Sequence, residues 1–370
     1  MKNCYIHIPF CEKICSYCDF CKMFYNKKFV NEYLDALDRE IFDVYRGEEL
    51  ETIYIGGGTP SCLSIDELKR LFDTLSMLKK SKSCEFTIEC NFENTTFEKL
   101  DLFKSVGINR ISFGIESINK DNLLFLERDA DIEHIRNIIS YCRKIGINNI
   151  NVDLMYALPG ESLDDLRKDL EFIFSLNVEH ISTYSLIIEE HTKLSIKGVE
   201  NISEDMDSKM YEVICDEMRS HGYNHYEISN FCKDGYSSKH NLCYWNNSNY
   251  YGFGLGASSY IDNRRINNTR SINKYIEGEY ILDEEILDTD DIMEYEVILN
   301  LQNVENNKEI YLHDKKIDEL ELVIQEQYDI IIAIVEVLME GKKYRGVMEC
   351  GFNQDKNKWF DGNDISKLLK

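Results

Sequence analysis

Over the first half of the chain a short β-rich run followed by an amphipathic stretch of helical length recurs six times, and this alternation constrains the fold more than any other feature. The runs are "NCYIHI" (3–8), "TIYI" (52–55), "EFTIEC" (85–90), "RISFGI" (110–115), "INVDLMYAL" (150–158) and "HISTYSLII" (180–188). The helical stretches lie at 29–45, 65–80, about 96–105, 131–145, 163–175 and about 203–221. In the first of them Val30, Tyr33, Leu34, Leu37 and Ile41 share one face. Ser64 followed by Glu67 is a capping-box start for the second. Repeated βα units imply a parallel sheet with right-handed crossovers, either doubly wound or a full or partial barrel. Ligands of both architectures sit at the C-terminal ends of the strands.

Two unusual segments fall at such ends. After the first strand, "IHIPFCEKICSYCDFCKMF" (6–24) carries Cys11, Cys15, Cys18 and Cys21 on a loop opened by Pro9. After the second strand comes "IYIGGGTPS" (53–61), whose glycines let a small polar ligand approach the backbone, without the spacing of a dinucleotide site. Both segments therefore open onto one mouth.

Composition narrows what the cysteines do. Thirteen of them, an odd number, are spread through 370 residues, a chain too long to need disulfide stapling. No secretory apolar region opens the chain, and the longest apolar run (328–339) is broken by Asp329 and Glu336. A cytoplasmic protein without a transmembrane segment is expected. The net charge of −25 argues against nucleic acid as a partner, since phosphate backbones are bound through Lys and Arg. Four thiolates would complete a zinc site or saturate an iron-sulfur cluster, and three would leave one iron of a 4Fe-4S cluster open. A structural zinc site expects a second, separate C-x2-C or a His pair at finger spacing nearby, and neither is present.

The C-x3-C-x-aromatic-C spacing together with the Gly triplet resembles the radical S-adenosylmethionine (SAM) superfamily. The resemblance implies a partial (β/α)6 TIM-type barrel of α/β class. It also implies Cys11, Cys15 and Cys18 as ligands of a 4Fe-4S cluster whose fourth iron takes SAM. Tyr17 would then lie against the adenine, and Gly57, Gly58 and Thr59 would receive the SAM amino group. Within the superfamily, residues 4 to about 280 are similar to the coproporphyrinogen dehydrogenase-like group. The matching stretches include "YIHIPFC", "FTIECN", "RISFGIES", "NVDLMYALPGES", "YEISNF", "HNLCYW" and "GFGLGASSY". By this likeness Tyr5, Glu89, Glu116, Arg128 and Asp153 help bind SAM.

Two branches of the group then compete. The oxidative decarboxylase, which converts coproporphyrinogen to protoporphyrinogen by reductive SAM cleavage, carries a further Cys where Phe20 stands here, and an N-terminal extension. The heme-chaperone branch is shorter and has an HNxxYW heme motif, matched by His240, Asn241, Tyr244 and Trp245. Heme binding and delivery to an acceptor protein are therefore expected, with His240 the candidate iron ligand. The chain departs from the group in having Glu116 where Gln is usual, Ala130 where His is usual, and "YALPG" for YGLPG. The barrel is expected over 1–235. A smaller, mainly helical C-terminal domain is expected over 236–370, diverging from the group after about 294.

Overall fold

The computed structural model describes residues 2–300 of the chain. Its first part runs β1 (Asn3–Ile8), β2 (Phe10–Cys11), β3 (Met23–Phe24), α1 (Lys27–Val44), β4 (Leu50–Gly57), α2 (Ile65–Leu75), β5 (Lys80–Asn91), α3 (Phe97–Ser105) and β6 (Arg110–Glu116). It continues through α4 (Lys120–Leu126), α5 (Ile132–Lys144), β7 (Asn149–Tyr156), α6 (Leu163–Leu176), β8 (His180–Ser185), α7 (Lys193–Ile196) and α8 (Glu204–Ser220). Strands β1, β4, β5, β6, β7 and β8 pair in that order, all in parallel. These are the six strands expected from the sequence.

The remaining elements are β9 (Asn224–Glu227), β10 (Asn230–Cys232), α9 (Lys239–Trp245), β11 (Tyr250–Phe253), β12 (Ser258–Ile261), β13 (Arg264–Asn268), α10 (Ile272–Glu277), β14 (Ile281–Ile286) and α11 (Thr289–Asn300). They extend the same sheet at both edges. Strand β11 adds in parallel to β1 and is followed by antiparallel β12, β13 and β14, while β10 and β9 add antiparallel beyond β8. The result is one twelve-stranded sheet with β14 and β9 at its ends, an arc rather than a closed barrel. The chain passes residue 235 inside one compact unit, Met1–Val304. A second unit, Glu305–Lys370, lies outside the described residues, as do the 328–339 run and most of the divergent tail.

Local sequence explains the helices that brace the arc. Asn26 caps α1 by accepting from Lys28 N, and Val30, Tyr33, Leu34, Leu37 and Ile41 are all buried. At α2 the capping box forms as read, with Ser64 and Glu67 satisfying each other's backbone N–H. Outward-facing Ile6, Ile53, Ile88, Ile111, Val152 and Ile181 are 0–1 % exposed and meet the helices in one apolar cluster. Each such side chain contributes about 1.5–3 kcal/mol by leaving water.

The alternate residues of the same strands are polar. Parallel strands covered on both faces usually read as nearly continuous apolar runs. Here Tyr5, His7, Thr52, Tyr54, Glu89, Arg110, Ser112, Asn151, Asp153, His180 and Ser182 hold every second position. They bond one another: Tyr54 donates to Glu89 Oε1 (2.8 Å), Asn151 to Ser112 Oγ (2.7 Å), and Asn151 Oδ1 lies 2.5 Å from His180 Nδ1. The apolar core thus sits between sheet and helices, leaving the concave face a polar chamber.

The turn into α6 buries an acid. Glu161, 7 % exposed, accepts from Leu158 N and Asn122 Nδ2, yet burial pushes its carboxyl up to about 7. A carboxyl raised in the folded state adds stability below its unfolded pKa, which is lost as pH rises through about 4.5 to 7, at a cost on the order of 3 kcal/mol. Between pH 5.5 and pH 8 the wild type is therefore expected to lose stability relative to Glu161→Gln, against a shared gain from His7, His180 and His240, which are buried neutral and stabilise the fold as pH rises. The raised Asp153 and Glu116 act alike in both proteins, so the difference between the two melting series isolates Glu161. Identical slopes in a melting series would contradict the assignment.

Candidate functional site

The cysteine loop leaves β1 at Ile8, and β2 pairs in parallel with β3, so its base is pinned by Phe10–Met23 and Cys11–Phe24. Its middle is tied down by Ser16, whose Oγ donates to Phe125 O (2.9 Å) at the end of α4. Cys11, Cys15, Cys18 and Cys21 are all free thiols. Among the described residues no three His, Cys, Asp or Glu side chains converge as a single metal ion would require. The thiolates of an iron-sulfur cluster bind separate irons and so need not converge on one point.

Each of the three spaced thiols has a donor beside it. Thr59 Oγ1 donates to Cys11 Sγ (3.6 Å), Arg128 Nη1 lies 4.0 Å from Cys15 Sγ, and Lys22 interacts with the Cys18 thiol. Such donors suit sulfurs that carry negative charge on an anionic cluster. Burial pushes the Cys11 thiol up to about 11 and raises Cys15 and Cys18 as well, so metal binding by these thiols would displace protons.

The Gly triplet packs directly against this loop. Gly58 N donates to Ile8 O and Thr59 N to Phe10 O, both at 2.8 Å. A Cβ on Gly58 would lie 2.8 Å from Cys11 Sγ and 2.9 Å from Phe10 O, so only glycine admits the loop. Gly57 has φ +117°, and its N–H donates to Glu89 Oε2 at 3.0 Å. Glu89 is thus held at the backbone turn, its carboxyl raised by burial.

Across the mouth, Glu116 ends β6 at a register shift with φ +58°, a left-handed conformation that costs a non-glycine residue and turns its carboxylate toward the loop. Tyr17 donates to Glu116 Oε1 (3.2 Å), and Arg128 Nη2 pairs with Oε2 at 2.8 Å and reaches Gly114 O at 2.9 Å. Burial pushes Glu116 up to about 6 despite the arginine. Arg128 Nε, buried, has no hydrogen-bond partner among the described residues, leaving a donor for an incoming acceptor. Asp153 accepts from Asn151 (2.8 Å) and is likewise raised to about 6 by burial. Tyr17, Glu116, Arg128 and Cys15 therefore form one group, and Cys11, Gly58 and Thr59 another.

His240 lies elsewhere. It is the second residue of α9, whose Lys239 and His240 N–H groups donate to Glu85 (3.2 and 3.1 Å) in the middle of β5. Its Nδ1 is 2.7 Å from Thr52 Oγ1 near the start of β4, its Nε2 is 2.9 Å from Tyr244 OH, and its ring stacks on Tyr54. The cysteine loop follows the opposite, C-terminal end of β1. His240 is 1 % exposed, and burial depresses its imidazole to about 3. Ligation of an iron by His240 requires one of these hydroxyls to release it. Asn241, Tyr244 and Trp245 are half-buried, and Trp245 Nε1 has no partner among the described residues.

Sequence reasoning did not single out His7, Arg110 or Arg270. His7 bridges Tyr5 OH (3.0 Å) and Cys21 O (2.7 Å), tying β1 to the loop, and Arg110 is 2 % exposed within the chamber. The period-2 polar residues in otherwise apolar strands were the signal for the first two. Arg270, in the turn before α10, donates to Asp19 O at 3.0 Å, a contact across 251 positions with no local signature.

The family model of the radical SAM superfamily matches residues 5–173. The "Heme chaperone HemW" of Bacillus subtilis is 42 % identical over 286 residues, covering 75 % of this chain and 76 % of that protein. The protein of the same description from Lactococcus lactis is 37 % identical and covers 81 % of each chain, and that of Escherichia coli is 32 % identical over 75 % and 76 %. In structure the chain is similar to coproporphyrinogen III oxidase (HemN) of Escherichia coli, with a TM-score of 0.73 at 22 % identity, covering 81 % of this chain and 75 % of that one. That likeness establishes the α/β radical SAM fold, while identity sustained over three quarters of both chains decides the branch. The chain belongs to the radical SAM superfamily and, within it, to the HemW family.

Proposed function

We propose that the chain is a heme chaperone that holds a 4Fe-4S cluster and SAM at the mouth of the arc and hands heme to an acceptor protein. The observation that carries this reading is the 37–42 % identity to proteins described as heme chaperones, sustained over three quarters or more of each. Cys11, Cys15 and Cys18 would hold the cluster, which supplies an open iron for SAM and a route for electrons. Gly57, Gly58 and Thr59 would receive the amino group of SAM. Tyr5, Tyr17, Glu89, Glu116, Arg128 and Asp153 would orient the rest. Support comes from the donors beside the three thiols and from the unpartnered Arg128 Nε.

His240, Asn241, Tyr244 and Trp245 are the motif proposed for heme. Phe20, where the decarboxylase has its further Cys, favours carriage over porphyrinogen oxidation. No described helix is long and apolar enough to cross a membrane. The reading is tested by anaerobic incubation of the reconstituted protein with reductant, SAM and coproporphyrinogen III, beside a heme titration. Near-stoichiometric heme binding with coproporphyrinogen unchanged is expected. Protoporphyrinogen at catalytic turnover, or no heme binding, would overturn it.

A further inference from the structure

We propose that a cleft on the polar face, beside β1 and the β11–β12 turn, seats the carboxylate-bearing edge of a tetrapyrrole, with Arg270 pairing to a propionate. This rests on the heme-chaperone reading and names the site at which the cargo is held. The cleft, about 310 Å³, lies between the trailing end of the cysteine loop, the inner face of β1 and the β11–β12 turn. Phe20, Tyr244 and Tyr250 supply aromatic surface, and Gly256, Ala257 and Ser258 keep one wall small. Arg270 is the cation among the residues that line it.

The charges facing the cleft are few. His7 has both ring nitrogens engaged and is held neutral by burial, and Asp19 is exposed at the rim, its carbonyl already accepting from Arg270. An aromatic slot with one guanidinium is the chemistry that recognises a flat apolar ring bearing carboxylates. On a chain of net charge −25, an anionic cargo is repelled almost everywhere, so a local cation selects where it docks.

Size points the same way. The volume is at the low end for small-molecule sites, enough for one edge of a macrocycle and too little to enclose it. A carrier that must release its cargo is served by such partial burial. Phe20, 64 % exposed on the loop directly after Cys18, gives the protruding part of the ring an apolar contact at the rim. The slot is reached by Tyr244 of the HNLCYW motif, whereas the His240 ring is stacked against Tyr54 behind it. Tyr244 and Tyr250 meet edge to face at 4.7 Å, which fixes the orientation of the aromatic wall.

The test is a titration of wild type, Arg270→Ala and Arg270→Lys, each with its cluster reconstituted, using heme and heme dimethyl ester. The alanine variant is expected to bind heme about tenfold more weakly and the ester as wild type does, with lysine recovering part of the loss. Equal heme affinity in wild type and Arg270→Ala would overturn the inference while leaving the chaperone reading intact. So would an equal loss for heme and ester, which would mark a change in loop shape rather than a lost carboxylate contact. Failure of the wild type to bind heme would remove the chaperone reading and this site together.

Discussion

Cys15→Ala and Cys18→Ala variants should fold and yet hold fewer than about one iron per chain after anaerobic reconstitution, where the wild type should take up about four. Both thiols are half-buried on the loop, and neither carries an apolar contact on which the core depends. The base of the loop is held by the β2–β3 pairing and its middle by Ser16, so removing a thiol leaves the backbone in place. What would be lost is one of the three attachments proposed for the cluster. Cys21→Ala is the control. Its sulfur has Arg270 as its hydrogen-bond donor and lies at the Gly256 turn, whereas Thr59 and Arg128 are the donors at Cys11 and Cys15. Iron and sulfide analysis separates the cases, and a full complement in Cys15→Ala, or loss confined to Cys21→Ala, would contradict the ligand assignment.

Gly58→Ala is the second large effect expected. The new Cβ would sit 2.8 Å from Cys11 Sγ and 2.9 Å from both Phe10 O and Pro9 C. Two of these atoms are backbone, locked by the Gly58–Ile8 and Thr59–Phe10 hydrogen bonds, so no rotamer change relieves the overlap. Overpacking of this kind costs on the order of 1–3 kcal/mol. It acts on β2 at Cys11, a proposed cluster ligand, so thermal stability and iron content should fall together. A variant with wild-type melting temperature and iron content would show that the loop yields freely, against the packing described.

The parts of the fold legible in sequence are those whose residues repeat against a buried surface. Strands β1 and β4 to β8 were readable because one face is apolar throughout, and α1 because its buried residues recur at helical spacing. Strands β11 to β14 were hidden in a tract rich in Asn, Ser and Tyr. They lie at the edge of the sheet, and β14 is exposed along its whole length, so no alternation marks it. Spacing alone made the cysteine loop and the glycines visible, since both are contiguous. The surroundings of His240 were not, because Thr52 is 188 positions away and Glu85 is 155. The pairing of Glu116 with Arg128 likewise depends on a bulge that turns one residue of β6 toward the loop.

Heme transfer is the most direct test of the central claim. The reconstituted chain is loaded with one equivalent of heme and mixed anaerobically with a heme-free acceptor, and absorption spectra of the two separated proteins are recorded with and without SAM. The expected result is that heme leaves this chain and appears on the acceptor nearly one for one, with the cluster intact. Heme that stays on the chain, or reaches the acceptor no faster than free heme does, would contradict a chaperone function.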